Sequence, residues 1–221
     1  MNQAKQNGPT KGQAVVIGGG HFGALAVKRL SGRVSLVVEP QPSRELLGLG
    51  VPVRPADGIG ELERLLTGPD PPRWIVPALP RHLLKDWLVG SLADQNPRQQ
   101  TIPPEVLPEA GLVIAGDAGQ YYLSVSNFTC SDDCPEPGEL CTVTGEPRGV
   151  DMWRRLAAVA WPQGEVGVLR SRQLAPGVGG LLTHEMLHLR QAIAERGGSW
   201  LLATACRCHG VVDAVAFDPR G

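Results

Sequence analysis

The chain has no excess of either charge: 21 lysines and arginines stand against 22 aspartates and glutamates, a net charge of −1 over 221 residues. Such a balance lacks the electrostatic footprint that nucleic acid or an anionic membrane surface selects. Long apolar runs are missing too. The longest, VSLVV and GLLTHEMLHL, are short or interrupted, so membrane insertion is not expected. The opening residues, MNQAKQNGPTKGQ, have no apolar core of a secretory signal, and residues 1–12 read as a disordered leader. There is no internal repeat. These absences suit a cytoplasmic protein, and in that compartment structural disulfides are rare. Also absent is the C-x2-C pair of zinc ribbons, as are both familiar ferredoxin runs, although five cysteines are present.

What is present is alternation. Val15, Val16 and Ile17 form a short β-branched run, followed by glycines and the helix-like FGALAVKRL. RVSLVVE, VPVRPADG and RWIVPALP read as three further strands, the last two followed by helices around IGELERLLT and RHLLKDWLVGSLA. Strand–helix repetition of this kind gives the α/β class: a Rossmann-like parallel sheet with helices on both faces. After the proline-laden DQNPRQQTIPPEVLPEA comes a hairpin turning at Gly116 to Gly119. A cysteine loop, a short helix, a strand, a long helix from about Gly180 to Arg196 and the strand SWLLATA complete the chain. Residues 13–110 are thus expected to form the nucleotide-binding unit. Residues 111–221 form a cysteine-rich α/β portion that either continues the same sheet or makes a second layer.

In GGGHFG, Gly18, Gly20 and Gly23 satisfy G-x-G-x-x-G. The first glycine permits a tight turn, the second a close approach to pyrophosphate, and the third close packing of helix on strand. The amides of the helix N-terminus, around His21 and Phe22, then face phosphate. Glu39 ends the second strand 21 residues after Gly18, where an acid accepts hydrogen bonds from a ribose diol. That acid favours NAD over NADP, with Arg44 keeping the second in play; S-adenosylmethionine fits the same geometry less specifically.

VVIGGGHFG, LVVEP and the ADG after the third strand resemble the TrkA-N (RCK-type) nucleotide-binding domains, over roughly residues 13–92. The resemblance implies a Rossmann fold, adenosine contacts at Glu39 and Asp57, and the regulatory setting common in that family. It does not extend to the second half, which has no regulatory module of the usual kind.

Cys130, Cys134 and Cys141 are spaced C-x3-C-x6-C, and Cys206 and Cys208 add C-x-C, with His209 a further ligand candidate. Asp132, Asp133, Glu136 and Glu139 lie within the first cluster and no Lys or Arg does. Carboxylates disfavour a neighbouring thiolate, so a free reactive thiol is poorly placed there, whereas a bound cation reverses that penalty. Pro135 and Pro137 stiffen the loop. A [4Fe-4S] cluster held by four of the five cysteines is the first expectation and zinc the alternative. The expected partners are a dinucleotide, a redox partner protein and, as in many proteins of this sheet type, a second copy of the chain.

His184, Glu185 and His188 match H-E-x-x-H, which on a helix places two imidazoles on one face beside a general base. Asp213 is the sole candidate third ligand, so a zinc hydrolase is a minor reading beside a polar outer helix face. Arg81 and His82 follow the fourth strand at the edge where α/β ligands bind. No residue is nominated as catalytic.

Overall fold

A computed structural model describes residues 12–136 and 138–220; the expected leader apart from Gly12, and Pro137 of the cysteine loop, lie outside the described residues. Two sheets carry the fold. The first has the order β3-β2-β1-β4-β10-β9. Its strands are β1 (Ala14–Ile17), β2 (Val34–Val38), β3 (Val53–Arg54), β4 (Trp74–Pro77), β9 (Arg172–Ala175) and β10 (Val178–Leu182). β1, β2, β3 and β4 pair in parallel, and β10 joins β4 antiparallel. The parallel part therefore runs 3-2-1-4.

The second sheet has the order β6-β7-β12-β11-β8, with β5 also pairing β12. Here β5 is Arg98–Gln100, β6 Leu112–Ala115, β7 Tyr121–Ser124, β8 Gly164–Arg170, β11 Gly198–Ala205 and β12 His209–Phe217. The halves of the chain interleave: β9 and β10 complete the first sheet, while the early β5 belongs to the second.

Strand alternation explains the layers. Ala14 and Val16 face α1 (His21–Leu30), whereas Val15 and Ile17 face α3 (Gly58–Thr67) and α4 (Leu83–Ser91). That inner layer also takes Met186 and Ile193 of α6 (Thr183–Arg196) and is closed from beyond by Trp200, Leu202, Val215 and Phe217 of the second sheet. The opposite face of the second sheet packs Leu201, Ala203, Val212 and Ala214 against Met152 and Leu156 of α5 (Met152–Ala157). A short α2 (Arg44–Leu47) follows β2, its N-cap Ser43 accepting from the Leu46 amide. Among the described residues no helix is long and apolar enough to cross a membrane.

The sequence expectation placed no strand at β5, β9 or β10, and it departs from the structure at two further elements. The long helix begins at Thr183, not Gly180, because Gly179 and Gly180 lie in β10. A Cβ on Gly180 would stand 2.5 Å from Leu174 Cδ1, so glycine there serves strand contact. The last strand, β12, was not foreseen: Asp213 interrupts an otherwise apolar run, and its reason lies in another part of the chain.

His82, at the N-cap of α4, does not present itself to a ligand. It is 2% exposed and its Nδ1 donates to Asp213 Oδ2 at 2.8 Å, with Asp213 itself 1% exposed. Gln120 Nε2 donates to the same carboxylate at 2.9 Å and Gln99 Nε2 at 3.2 Å, while His82 Nε2 lies 3.0 Å from Thr204 Oγ1. The network ties the loop after β4 to the second sheet.

Asp213→Ala is expected to lower stability by about 3–5 kcal/mol, because it strands a buried imidazole; the urea midpoint should fall without a change of slope. Burial pushes the Asp213 carboxyl up, but hydrogen bonds from His82 and Gln120, with the charges of His82 and Lys85, outweigh it and hold the group below its ordinary value of 3.8. A depressed carboxylate stabilises above the ordinary pKa and loses that contribution as pH falls through the folded value. The stability gap between wild type and Asp213→Ala should therefore narrow below about pH 4. A gap unchanged between pH 7 and pH 3 would refute this account.

Candidate functional site

The glycine turn is built on steric necessity. Gly18 has φ +106°, and a Cβ there would lie 2.5 Å from Ala78 O at the end of β4. A Cβ on Gly23 would lie 2.1 Å from Gly18 O, so α1 is packed directly onto the turn. Glu39, at the end of β2, folds back over it: the Gly19 amide donates to Glu39 Oε2 at 2.7 Å, and the Gln41 amide to Oε1 at 3.0 Å. Gly19, Gly20, His21, Glu39, Gln41 and Ser43 line a groove of about 470 Å³. Asp57 is not in it; its carboxylate caps α3 by accepting from the Gly60 amide at 2.8 Å. Leu46 of α2 is packed beside Gly19.

All five cysteines line a second, larger cavity of about 870 Å³. It opens between the sheets: Gln173 and Gly177–Gly179 of the first sheet's edge face Tyr122–Ser124 of the second. Cys206 and Cys208 occupy the turn between β11 and β12, where the Cys206 amide donates to His209 O at 2.9 Å. That turn aims two amides at one sulfur, Cys208 N–H and His209 N–H reaching Cys206 Sγ at 3.4 and 3.3 Å. The same pattern recurs at Cys141, whose thiol is held below its ordinary pKa by the backbone amides of Thr144 and Val143 and by the Thr144 hydroxyl. Cys134 is anchored through its carbonyl, which accepts from Gln173 Nε2 at 2.7 Å and from the Gly177 amide at 3.1 Å. Cys130 Sγ lies 3.4 Å from Ser126 Oγ. His209 Nδ1 lies 3.8 Å from Cys206 Sγ.

One member of the cavity was not singled out by sequence, and another, Glu136, was read only as one of four loop acids. Arg148 is buried and donates to Cys208 Sγ. Glu136 accepts from the Arg207 amide at 2.6 Å. The electrostatics follow from burial and these charges. Burial, reinforced by Glu136, pushes the Cys206 thiol up to about 12 despite its two amide donors. Burial likewise pushes Cys208 to about 11; Arg148 opposes this, and Cys130, Cys134 and Glu136 add to it. Cys130, Cys134 and Cys208 thus line one space. They surround it without closing on it: among the described residues no three His, Cys, Asp or Glu side chains are gathered closely enough to grip a metal ion as they stand.

The cavity and the glycine turn are neighbours. Phe22, the residue before Gly23, lines the cysteine cavity. His21 Nε2 lies 3.2 Å from Asp132 Oδ2, and Arg29 of α1 donates to the carbonyls of Asp132 and Pro176. The cysteine loop is thereby fastened to the helix that begins at the glycine turn.

The H-E-x-x-H residues lie elsewhere. His184 and His188 are exposed on α6, their ring centroids 6.0 Å apart, and Glu185 forms a two-pronged pair with Arg172 at 2.7 and 2.6 Å. Asp213 is committed to His82. Arg81 pairs with Asp86, and Arg44 is exposed on α2.

A family model described as "Uncharacterized protein, C-terminal domain" (AF_1314_C) matches residues 81–218, which contain all five cysteines and begin after the glycine turn. A protein of Archaeoglobus fulgidus, described as an uncharacterized protein, is 30% identical over 217 residues, covering 91% of this chain and 98% of its own. No solved structure matches the chain.

The thiols make a direct prediction. In chelator-treated protein, iodoacetamide at neutral pH should label Cys141 first and Cys206 and Cys208 last, read by peptide mass spectrometry, since only the thiolate reacts. Equal labelling of Cys141 and Cys206 would contradict the geometry.

Proposed function

The chain belongs to the AF_1314_C family, and we propose that it is an NAD(H)-binding protein carrying a cysteine-ligated iron–sulfur cluster, with a redox or electron-transfer role. The observation that carries this reading is convergence. Cysteines from two distant segments line one cavity, and that cavity shares Phe22 with the glycine turn. The resemblance to TrkA-N domains in residues 13–92 supports the nucleotide half. The 3-2-1-4 parallel order, with Gly18 against the end of β4, supports it further.

In this reading the groove over Gly19 and Gly20 receives the pyrophosphate, and Glu39, already oriented by the Gly19 and Gln41 amides, meets the ribose diol. Asp57 serves as the cap of α3. Four of Cys130, Cys134, Cys141, Cys206 and Cys208 hold the cluster, which when bound accepts and releases one electron at a time. The donor set fits such a group. Five soft sulfurs surround the space, and amide hydrogens at Cys206 and Cys141 are placed to stabilise thiolate charge. The raised pKa values of Cys206 and Cys208 keep them neutral without a cation, so occupancy releases protons. Glu136 and Asp132 at the wall favour the oxidised, less negative state and so a lower reduction potential.

The test is anaerobic purification followed by elemental analysis and a visible spectrum of the same sample. About four irons per chain with a broad visible absorption are expected. One zinc and no colour would replace this reading with a nucleotide sensor built around a structural metal, and neither metal would end it. On the nucleotide side, Glu39→Ala should weaken NADH binding roughly 10- to 100-fold by calorimetry, the worth of hydrogen bonds to a charged group. Unaltered affinity in a variant with an unaltered melting curve would remove Glu39 from the site.

A further inference from the structure

Nine large hydrophobic side chains are conspicuously exposed among the described residues, and five of them, Phe22, Leu112, Ile114, Tyr122 and Val143, line the cysteine cavity. Phe22 is 57% and Val143 61% exposed. They reach the cavity from three separate walls: the glycine turn, the β6–β7 hairpin and the turn after Cys141. Exposed apolar surface concentrated in one concavity marks a place where an apolar ligand is bound.

The hairpin wall is fixed by register. Ile114 pairs with Tyr122 and Leu112 with Ser124, so alternation sends these residues to one face; Val113 goes to the other and is not part of the lining, although its pair Leu123, on the inner strand, borders the cavity. The space also exceeds what a metal centre needs. About 870 Å³ lies within the roughly 300–1,000 Å³ of sites for small organic molecules.

Charge narrows the chemistry. Asp132 is engaged by His21, Glu136 by the Arg207 amide, and Arg148 by Cys208; Glu146 adds a third carboxylate that disfavours an anion, and the wall also presents the neutral Asn127, Thr129 and Gln173. We propose that this cavity binds a neutral organic substrate, its apolar body between Phe22 and Ile114 and its polar group turned towards the thiols. The assignment rests on the reading above in that it gives the metal-bearing cavity its substrate, but the site itself is defined by the apolar walls.

The test uses the full chain as purified, with its metal, titrated with the neutral planar dye Nile red. One saturable site with enhanced, blue-shifted emission is expected. Ile114→Glu should weaken it at least roughly tenfold, and Val113→Glu, one residue away on the opposite face, should leave it unchanged. Phe22→Ala, on a different wall, should also weaken it and serves where Ile114→Glu fails to fold. No saturable binding, or equal losses in the Ile114 and Val113 variants, would overturn the proposal. Metal content measured on the same samples separates the two readings. Dye bound as expected to protein lacking metal leaves this site standing and removes the cluster; metal with no dye site does the reverse.

Discussion

The buried pairing of His82 with Asp213 is the constraint on which the arrangement of the two sheets depends. A carboxylate in the middle of an apolar strand is costly unless its lone pairs are satisfied, and here one imidazole and two glutamine amides reach it. The same contact fixes β12. A slip of one residue would turn Asp213 towards the apolar layer over α5 and bring its neighbours Val212 and Ala214 to the polar partners. Since Cys206 and Cys208 sit in the turn that leads into β12, the register that satisfies Asp213 also sets where two of the five thiols stand. A second-sheet strand is thus positioned by a residue from the carboxyl edge of the first sheet.

Within the cavity the decisive balance is between burial and compensation. Two amides on Cys206 favour its thiolate, yet burial and Glu136 win and leave it neutral. At Cys141, in an open turn, the same amide arrangement wins. The same local motif therefore shifts the two thiols in opposite directions, because the surroundings differ in burial and in nearby carboxylate. A cation among the thiols would reverse the outcome at Cys206 and Cys208. Arg148 compensates in part, since its guanidinium lies on Cys208, but one positive charge stands against several sulfurs and Glu136.

Much of the first half was legible in sequence because its determinants are local. Gly18 needs a positive φ and has no room for a Cβ, and Glu39 lies where a strand of that length must end. The hairpin of β6 and β7 announced itself by its glycines. The clustering of Cys130, Cys134 and Cys141 was plain from spacing. That Cys206 and Cys208 join them was expected only from their chemistry. What sequence did not reveal depends on distant partners. β12 was hidden because Asp213 breaks its apolar run and finds its reason at His82. The start of α6 was misplaced because Gly179 and Gly180 look like a loop before a helix. In fact they allow a strand to pack closely, Gly180 against Leu174 and Trp74. Arg148, a lone base in an acidic loop region, gave no signal at all. His184, Glu185 and His188 show the converse: a legible motif whose acid is occupied by Arg172, a residue outside the pattern.

The first turn of α1 belongs to both cavities, and this joins them physically. His21 lines the groove over the glycine turn and touches Asp132 of the cysteine loop, while Phe22 beside it forms a wall of the cysteine cavity. Gly23 packs directly on Gly18, so that turn has little freedom to deform gradually. A ligand that shifts the backbone at Gly20 must carry His21 and Phe22 with it. It then alters the contact with the loop that bears Cys130 and Cys134. Any such coupling would be reciprocal by thermodynamic necessity: if a ligand at the glycine turn changed the affinity of the cysteine cavity, a ligand in the cavity would change that of the turn by the same factor. In sequence the glycine turn and the cysteine loop are two unrelated motifs, and in the fold they meet at the adjacent residues His21 and Phe22.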